Sequence, residues 1–152
     1  MPNIVENELT VSGDEESINQ FKDMIGGASQ FSLEKILPTP QKFLEDEERS
    51  GESLTFEEGI KKGLPDWYTW RMQHWGVKWD ISDCELVTDS FELPSDHYIT
   101  YRFSSAWNAP LIALESLSKK IPNLKMNLHY VEIMNGIDMK VQIKGGELEI
   151  VS

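Results

Sequence analysis

The 152-residue chain has a single cysteine, Cys84, which excludes an internal disulfide and a thiolate-held iron–sulfur cluster. Its surroundings, "SDCELV", supply neither a second thiol nor a basic neighbour that would activate it, the setting of a structural thiol rather than a nucleophile. No apolar run approaches the ~20 residues needed to span a bilayer, and no membrane association is expected. The opening residues, "MPNIVENELTVSG", lack the basic and apolar regions of a signal peptide, so a cytoplasmic location is expected. Positive charge is scarce. Fourteen basic residues face 26 acidic ones for a net charge of −12, which repels phosphate backbones and disfavours direct nucleic-acid binding. Lys61-Lys62 and Lys119-Lys120 are the only adjacent basic pairs, and neither is interleaved with aromatics. His74, His97 and His129 have no metal-ligand spacing, and no nucleophile elbow or phosphate-cradling loop occurs. No cofactor, metal or catalytic residue is assigned on this basis.

What remains has the size and composition of one soluble α+β domain over residues 1–152, with 39% hydrophobic and 26% charged residues. Leu9 and Val11 alternate with polar residues in Glu6–Gly13, predicting a half-buried strand. A helix is expected next, with Ser12 and Glu15 at capping-box spacing, an apolar stripe of Ile18, Phe21 and Ile25, and Gly26-Gly27 as its stop. Phe31–Pro40 reads as extended, since each of its two prolines disfavours helix in the residue before it. Phe43–Gly63 is charged and apolar-poor apart from a helical turn or two around Phe56 and Ile60; it reads as a partly mobile insertion. Further on, "ELVTDSFEL" and "HYITYRFSSAW" predict a hairpin joined by "PSD". Pro110 opens a helix whose buried side is Ile112, Ala113, Leu114, Leu117 and Ile121, and Pro122 ends it. Leu124–Met134 is a strand with Leu124, Met126, Leu128 and Tyr130 on one face, and the last sixteen residues form a tight hairpin around Gly145-Gly146. Without the insertion the order is β-α-β-β-α-β, that of a ferredoxin-like sandwich, with a C-terminal β extension.

Four of the five tryptophans fall within "WYTWRMQHWGVKWD". With Pro65 as a first helical residue, Trp67, Trp70, His74 and Trp75 share one helical face until Gly76 ends it. Val77, Trp79 and Ile81 then alternate with Lys78 and Asp80 as the start of an extended segment. In one reading the tryptophans are core and Lys78 and Asp80 form an ion pair or a cap. In a second, Trp75, Trp79 and Trp107 wall a cleft where His74, Lys78, Asp80 and Glu132 meet a small-molecule ligand or substrate. In a third, these residues are scaffold and function lies in what the surface binds.

Trp75-Gly76-x-Lys78-Trp79-Asp80, together with "FSSAWNAP" (Phe103–Pro110), "YVE" (Tyr130–Glu132) and "ILPTP" (Ile36–Pro40), resembles the YubB-type ferredoxin-like family of bacterial plasmids, phages and other mobile elements. The likeness extends over most of the chain. It departs at His74, where the family pattern has asparagine, at Ser105 in place of threonine, and after Glu132. The resemblance implies a ferredoxin-like sheet and a mobile-element setting, and implies no activity. The expected function is therefore a non-enzymatic accessory protein, monomer or homodimer, that binds a protein partner through His74, Lys78, Trp79, Asp80, Trp107 or Glu132. Two alternatives stand beside it: an acidic DNA mimic that inhibits a DNA-binding protein, and an enzyme or small-molecule binder using the Lys78/Asp80 region.

Overall fold

The computed structural model describes residues 3–27, 30–42, 66–92 and 96–151. In chain order these form β1 (Ile4–Gly13), α1 (Glu15–Ile25), α2 (Leu33–Ile36), α3 (Asp66–His74), β2 (Ser82–Glu92), β3 (Asp96–Ala106), α4 (Leu111–Lys120), β4 (Lys125–Glu132), a 3-10 turn (Ile133–Asn135), β5 (Ile137–Lys144) and β6 (Glu147–Ile150). The strands make one sheet in the order β2-β3-β1-β4-β5-β6, and every neighbouring pair is antiparallel. The architecture is α+β, with the helices on one face.

Strand β1 lies between β3 and β4 and buries every second residue from Val5 to Val11, all apolar except Asn7. Val5, Leu9 and Val11 are buried, and Leu9 and Val11 meet Tyr101, Phe103 and Ile99 of β3 and Met126 and Leu128 of β4 in one core. Ile18, Phe21 and Ile25 of α1 and Leu114 and Leu117 of α4 close that core from above. Helix α1 uses the stripe its spacing predicts, and α4 does so except at Ile112. The opposite face is polar. One row of paired residues runs across it as Glu85, Arg102, Glu8, His129 and Lys140.

The local details differ from expectation at several points. Helix α1 is capped by Asp14, whose carboxylate accepts from the Ser17 amide at 2.7 Å, whereas the Ser12 hydroxyl turns to the Lys125 carbonyl. Asp14 is two positions nearer the helix, directly before Glu15, and there the side chain reaches the free amides of the first turn. Phe31–Pro40 is not extended throughout, because Leu33–Ile36 forms a short helix; proline restrains only the residue before it, and Ser32 caps Lys35 upstream of both prolines. Residues 77–81 bend without forming a strand, and β2 begins only at Ser82. Pro110 stands at the N-cap of α4 rather than inside it. Ile112 is partly exposed. The insertion at Phe43–Gly63, with Phe56 and Ile60, lies outside the described residues, as do Pro65 and the hairpin connection at 93–95. The final hairpin follows its reading: Lys144 pairs with Glu147, and Gly145 and Gly146 both have positive φ, as a two-residue turn of matching twist requires.

The Ser17 amide holds the Asp14 carboxyl below its ordinary pKa. A lowered folded value means that this stabilisation is complete above the unfolded carboxylate range and is lost as the pH falls through the folded value. Asp14→Asn keeps an accepting oxygen without the titration. Its Tm is expected to fall less than the parent's between neutral and strongly acidic pH, as thermal melts at both would read.

Candidate functional site

The tryptophan stretch is built around a cation. Arg71 is only 6% exposed, and its guanidinium lies 5.2 Å from the Trp67 ring centre and 5.1 Å from that of Trp75. The spacing explains this, since residues at i−4 and i+4 flank the central one along a helical face. Its Nε donates to the Thr39 hydroxyl at 3.3 Å, and Glu34 stands 3.9 Å from its Nη2. Glu34 also accepts from the Thr39 amide and hydroxyl. The Trp75 indole donates to the Leu37 carbonyl at 2.9 Å. Helix α3 is thereby fastened to the segment around α2.

Trp75 is fully buried and so walls no cleft. Its carbonyl accepts from Ala113 at the start of α4. Gly76 follows with φ +85°, and a Cβ there would stand 3.4 Å from Ile112. Glycine allows both the left-handed turn and this close approach. His74 is half-buried, stacks on Trp70 at 4.5 Å and donates from Nδ1 to the Trp70 carbonyl at 2.8 Å. It is a packed histidine at the end of α3.

Lys78 and Asp80 have different partners. The Asp80 carboxylate accepts from the amides of Leu33 at 2.7 Å, Glu34 at 3.2 Å and Ile81 at 2.8 Å. It caps α2 from the other end of the excursion, the cap rather than the ion pair of the two structural options. The Lys78 ammonium lies 5.4 Å from the Tyr68 ring centre and 5.3 Å from that of Trp79. Cys84 is half-buried beside this region, and burial pushes its thiol pKa up, away from nucleophilic use.

Trp107 and Glu132 lie at the end of the sheet where β3 and β4 finish. Trp107 is 58% exposed, with φ +69°, a conformation that costs a side-chain-bearing residue roughly 1–2 kcal/mol. Its amide donates to the Asn3 carbonyl at 2.8 Å. Glu132 is 2% exposed; Oε2 accepts from Asn135 at 2.6 Å and Oε1 has no partner. The registers Ile4 with Ala106, Glu6 with Val131 and Glu132 with Ile137 bring Trp107, Ile4, Ile133 and Ile137 to the same end of four adjacent strands. Ile4 is 49%, Ile133 81% and Met134 80% exposed, which makes an apolar rim. The segments 3–6, 104–109 and 131–138 carry Glu6, Glu132 and Asp138 and no lysine or arginine.

None of the six predicted residues lines the cavity of about 310 Å³ that lies, among the described residues, on the polar face between Glu8, Thr10, Asn127, His129 and Lys140. The Arg71 sandwich and the rim were missed as functional features. A signal for the rim existed in "IMNG", two adjacent large apolar residues before a turn glycine.

No family model matches the chain, and no curated protein matches it. Among solved structures, it is similar to a crystal structure of the protein api92 from Yersinia pseudotuberculosis, family model DUF1281, with TM-score 0.62 and 9% identity over 100% of this chain and 99% of that one. The likeness is one of fold.

Asp80→Ala is expected to cost about 1–3 kcal/mol, because it leaves helix-end amides without their charged acceptor. Lys78→Met, which keeps the stem over the rings, should cost no more than about 1 kcal/mol. Urea titrations of both variants check the order; equal losses would contradict these separate roles. Trp75→Ala is expected to cost about 3–5 kcal/mol in the same assay.

Proposed function

We propose that this chain is a non-enzymatic protein-binding module that takes an apolar, basic segment of a partner protein on the rim formed by Ile4, Trp107, Ile133, Met134 and Ile137. The observation that carries this reading is Trp107. A large aromatic side chain is held in the open by a backbone conformation that disfavours it, and neither its exposure nor its strain serves the core. Exposed tryptophan anchors are frequent centres of binding energy. The carboxylates around the rim and the net charge of −12 favour a positively charged partner over a second copy of this chain.

The same reading includes a ferredoxin-like core of β1, α1, β2, β3, α4 and β4, supported by the strand order, and a YubB-type relationship with a mobile-element setting, supported by the motif resemblance. The DNA-mimic alternative is less favoured. On the polar face Arg102 answers Glu8 at 3.1 Å and His129 meets Asp138 at 2.7 Å, so these carboxylates do not present a free phosphate-like row. An enzyme at Lys78/Asp80 is less favoured too, because Asp80 is already taken by three backbone amides.

Two variants test the rim. A photo-crosslinking residue at Met134 is expected to capture a defined partner from the native host, whereas one at Asn127 on the polar face should not. Trp107→Gly should keep stability within about 1 kcal/mol of the parent, because relieved strain offsets lost packing and chain entropy, and should abolish that capture. Equal capture from both positions, or capture unaffected by Trp107→Gly, would overturn the reading.

A further inference from the structure

Below the rim lies a corner of unanswered acceptors. Glu132 is 2% and Asn7 4% exposed. Neither Glu132 Oε1 nor Asn7 Oδ1 has a hydrogen-bond partner. Both side chains occupy the helix-covered face, since Asn7 pairs with Tyr130, two residues before Glu132 in β4. Such diagonal neighbours stand roughly 7–8 Å apart. The Asn7 amide cannot turn over to cure this. Its Nδ2 donates to the Val5 carbonyl at 3.1 Å and the Ser105 hydroxyl at 2.9 Å, and that hydroxyl is committed as a donor to the Asn108 carbonyl at 2.7 Å. Reversal would set oxygen against oxygen at Val5, so Oδ1 stays without a donor.

A buried carboxylate is ordinarily paired and hydrogen-bonded on both oxygens. Here one oxygen has a single neutral donor, Asn135 Nδ2 at 2.6 Å, and the other has none. Asn135 belongs to the turn whose Ile133 and Met134 are the most exposed apolar residues of the rim. We infer that Glu132 and Asn7 form the receptor for an arginine side chain of the partner segment, with Asn135 as a placeholder that the guanidinium displaces. A guanidinium presents a planar fork of donors that fits both oxygens of one carboxylate and has N–H groups left for an amide oxygen such as Asn7 Oδ1. An ammonium lacks that fork. The inference rests on the proposed protein-binding role and gives the rim its specificity: apolar contacts at the surface and one cation beneath them.

The test uses N-acetyl-arginine methylamide as probe, its citrulline counterpart as neutral isostere and its lysine counterpart as point charge, each titrated into the ¹⁵N-labelled full chain. The side-chain amide signals of Asn135 and Asn7 are followed. Saturable shifts at both amides with the arginine probe, weaker shifts with lysine and none with citrulline are expected. Glu132→Gln should weaken arginine binding by at least about tenfold, the scale of a lost charge-assisted contact. Asn135→Ala removes the competitor and should tighten it by about two- to tenfold, the scale of one neutral hydrogen bond. Thermal melts verify that both variants fold, and if Glu132→Gln does not, Glu132→Asp, which shortens the reach, takes its place with the same expected loss. Equal binding of citrulline, unchanged binding in the Glu132 variant, or no binding of the arginine probe overturns the inference; unchanged or weaker binding in Asn135→Ala overturns the displacement. The probes lack apolar flanks and read the acceptor corner alone. Their failure therefore leaves Trp107-dependent capture standing, and failure of that capture leaves their result intelligible.

Discussion

The contact on which the excursion between α1 and β2 depends is the Asp80 carboxylate on the amides of Leu33 and Glu34. Chain that leaves a sheet after one helix and returns at an edge strand must be tied where it leaves and where it comes back, or its ordering entropy is not offset. Asp80 does both at once. It sits on the returning segment and caps the short helix on the departing one. A four-residue helix has little stability of its own, so α2 depends on a charge supplied from 47 positions away.

The Arg71 sandwich works beside that tie. Burying a guanidinium is costly unless its charge and donors are answered. Two indole faces, the Thr39 hydroxyl and the nearby Glu34 carboxylate answer them. Trp67 and Trp75 are thus core residues, Trp75 within a cluster with Leu33, Val77 and Ala113, and they also line a structural cation. Gly76 lets that assembly press against Ile112 and the first turn of α4.

The molecule consequently separates its aromatic residues by task. Trp67 and Trp75 are enclosed with Arg71, whereas Trp107 is exposed at the far end of β3. The same sheet end gathers apolar side chains from four strands above two buried acceptors without donors. A core built for stability alone would have reversed both choices, with the indole inside and the acceptors paired. Departures of this kind concentrate where a protein meets something else.

Much of the fold was legible in the residues. Alternation marked β1, β4 and both hairpins, and the stripes of Ile18, Phe21 and Ile25 and of Leu114 and Leu117 marked the two covering helices, because periodicity is a local property of the chain. The Asp14 cap and the α2 helix were less so, since several polar residues near a helix start compete for its amides and only the folded backbone chooses among them. The candidate site was legible only in part. Trp107 and Glu132 were singled out as residues, but their common sheet end follows from register between β3, β1 and β4. The roles of Asp80 and Arg71 follow from partners far away in sequence. What the sequence by itself determined was which residues repeat at period two or near 3.6, and hence which elements form and which faces they bury. Only the tertiary structure decided which charge answers which amide, and which apolar residues stay outside, because those choices depend on strand register and long-range packing that no local pattern contains.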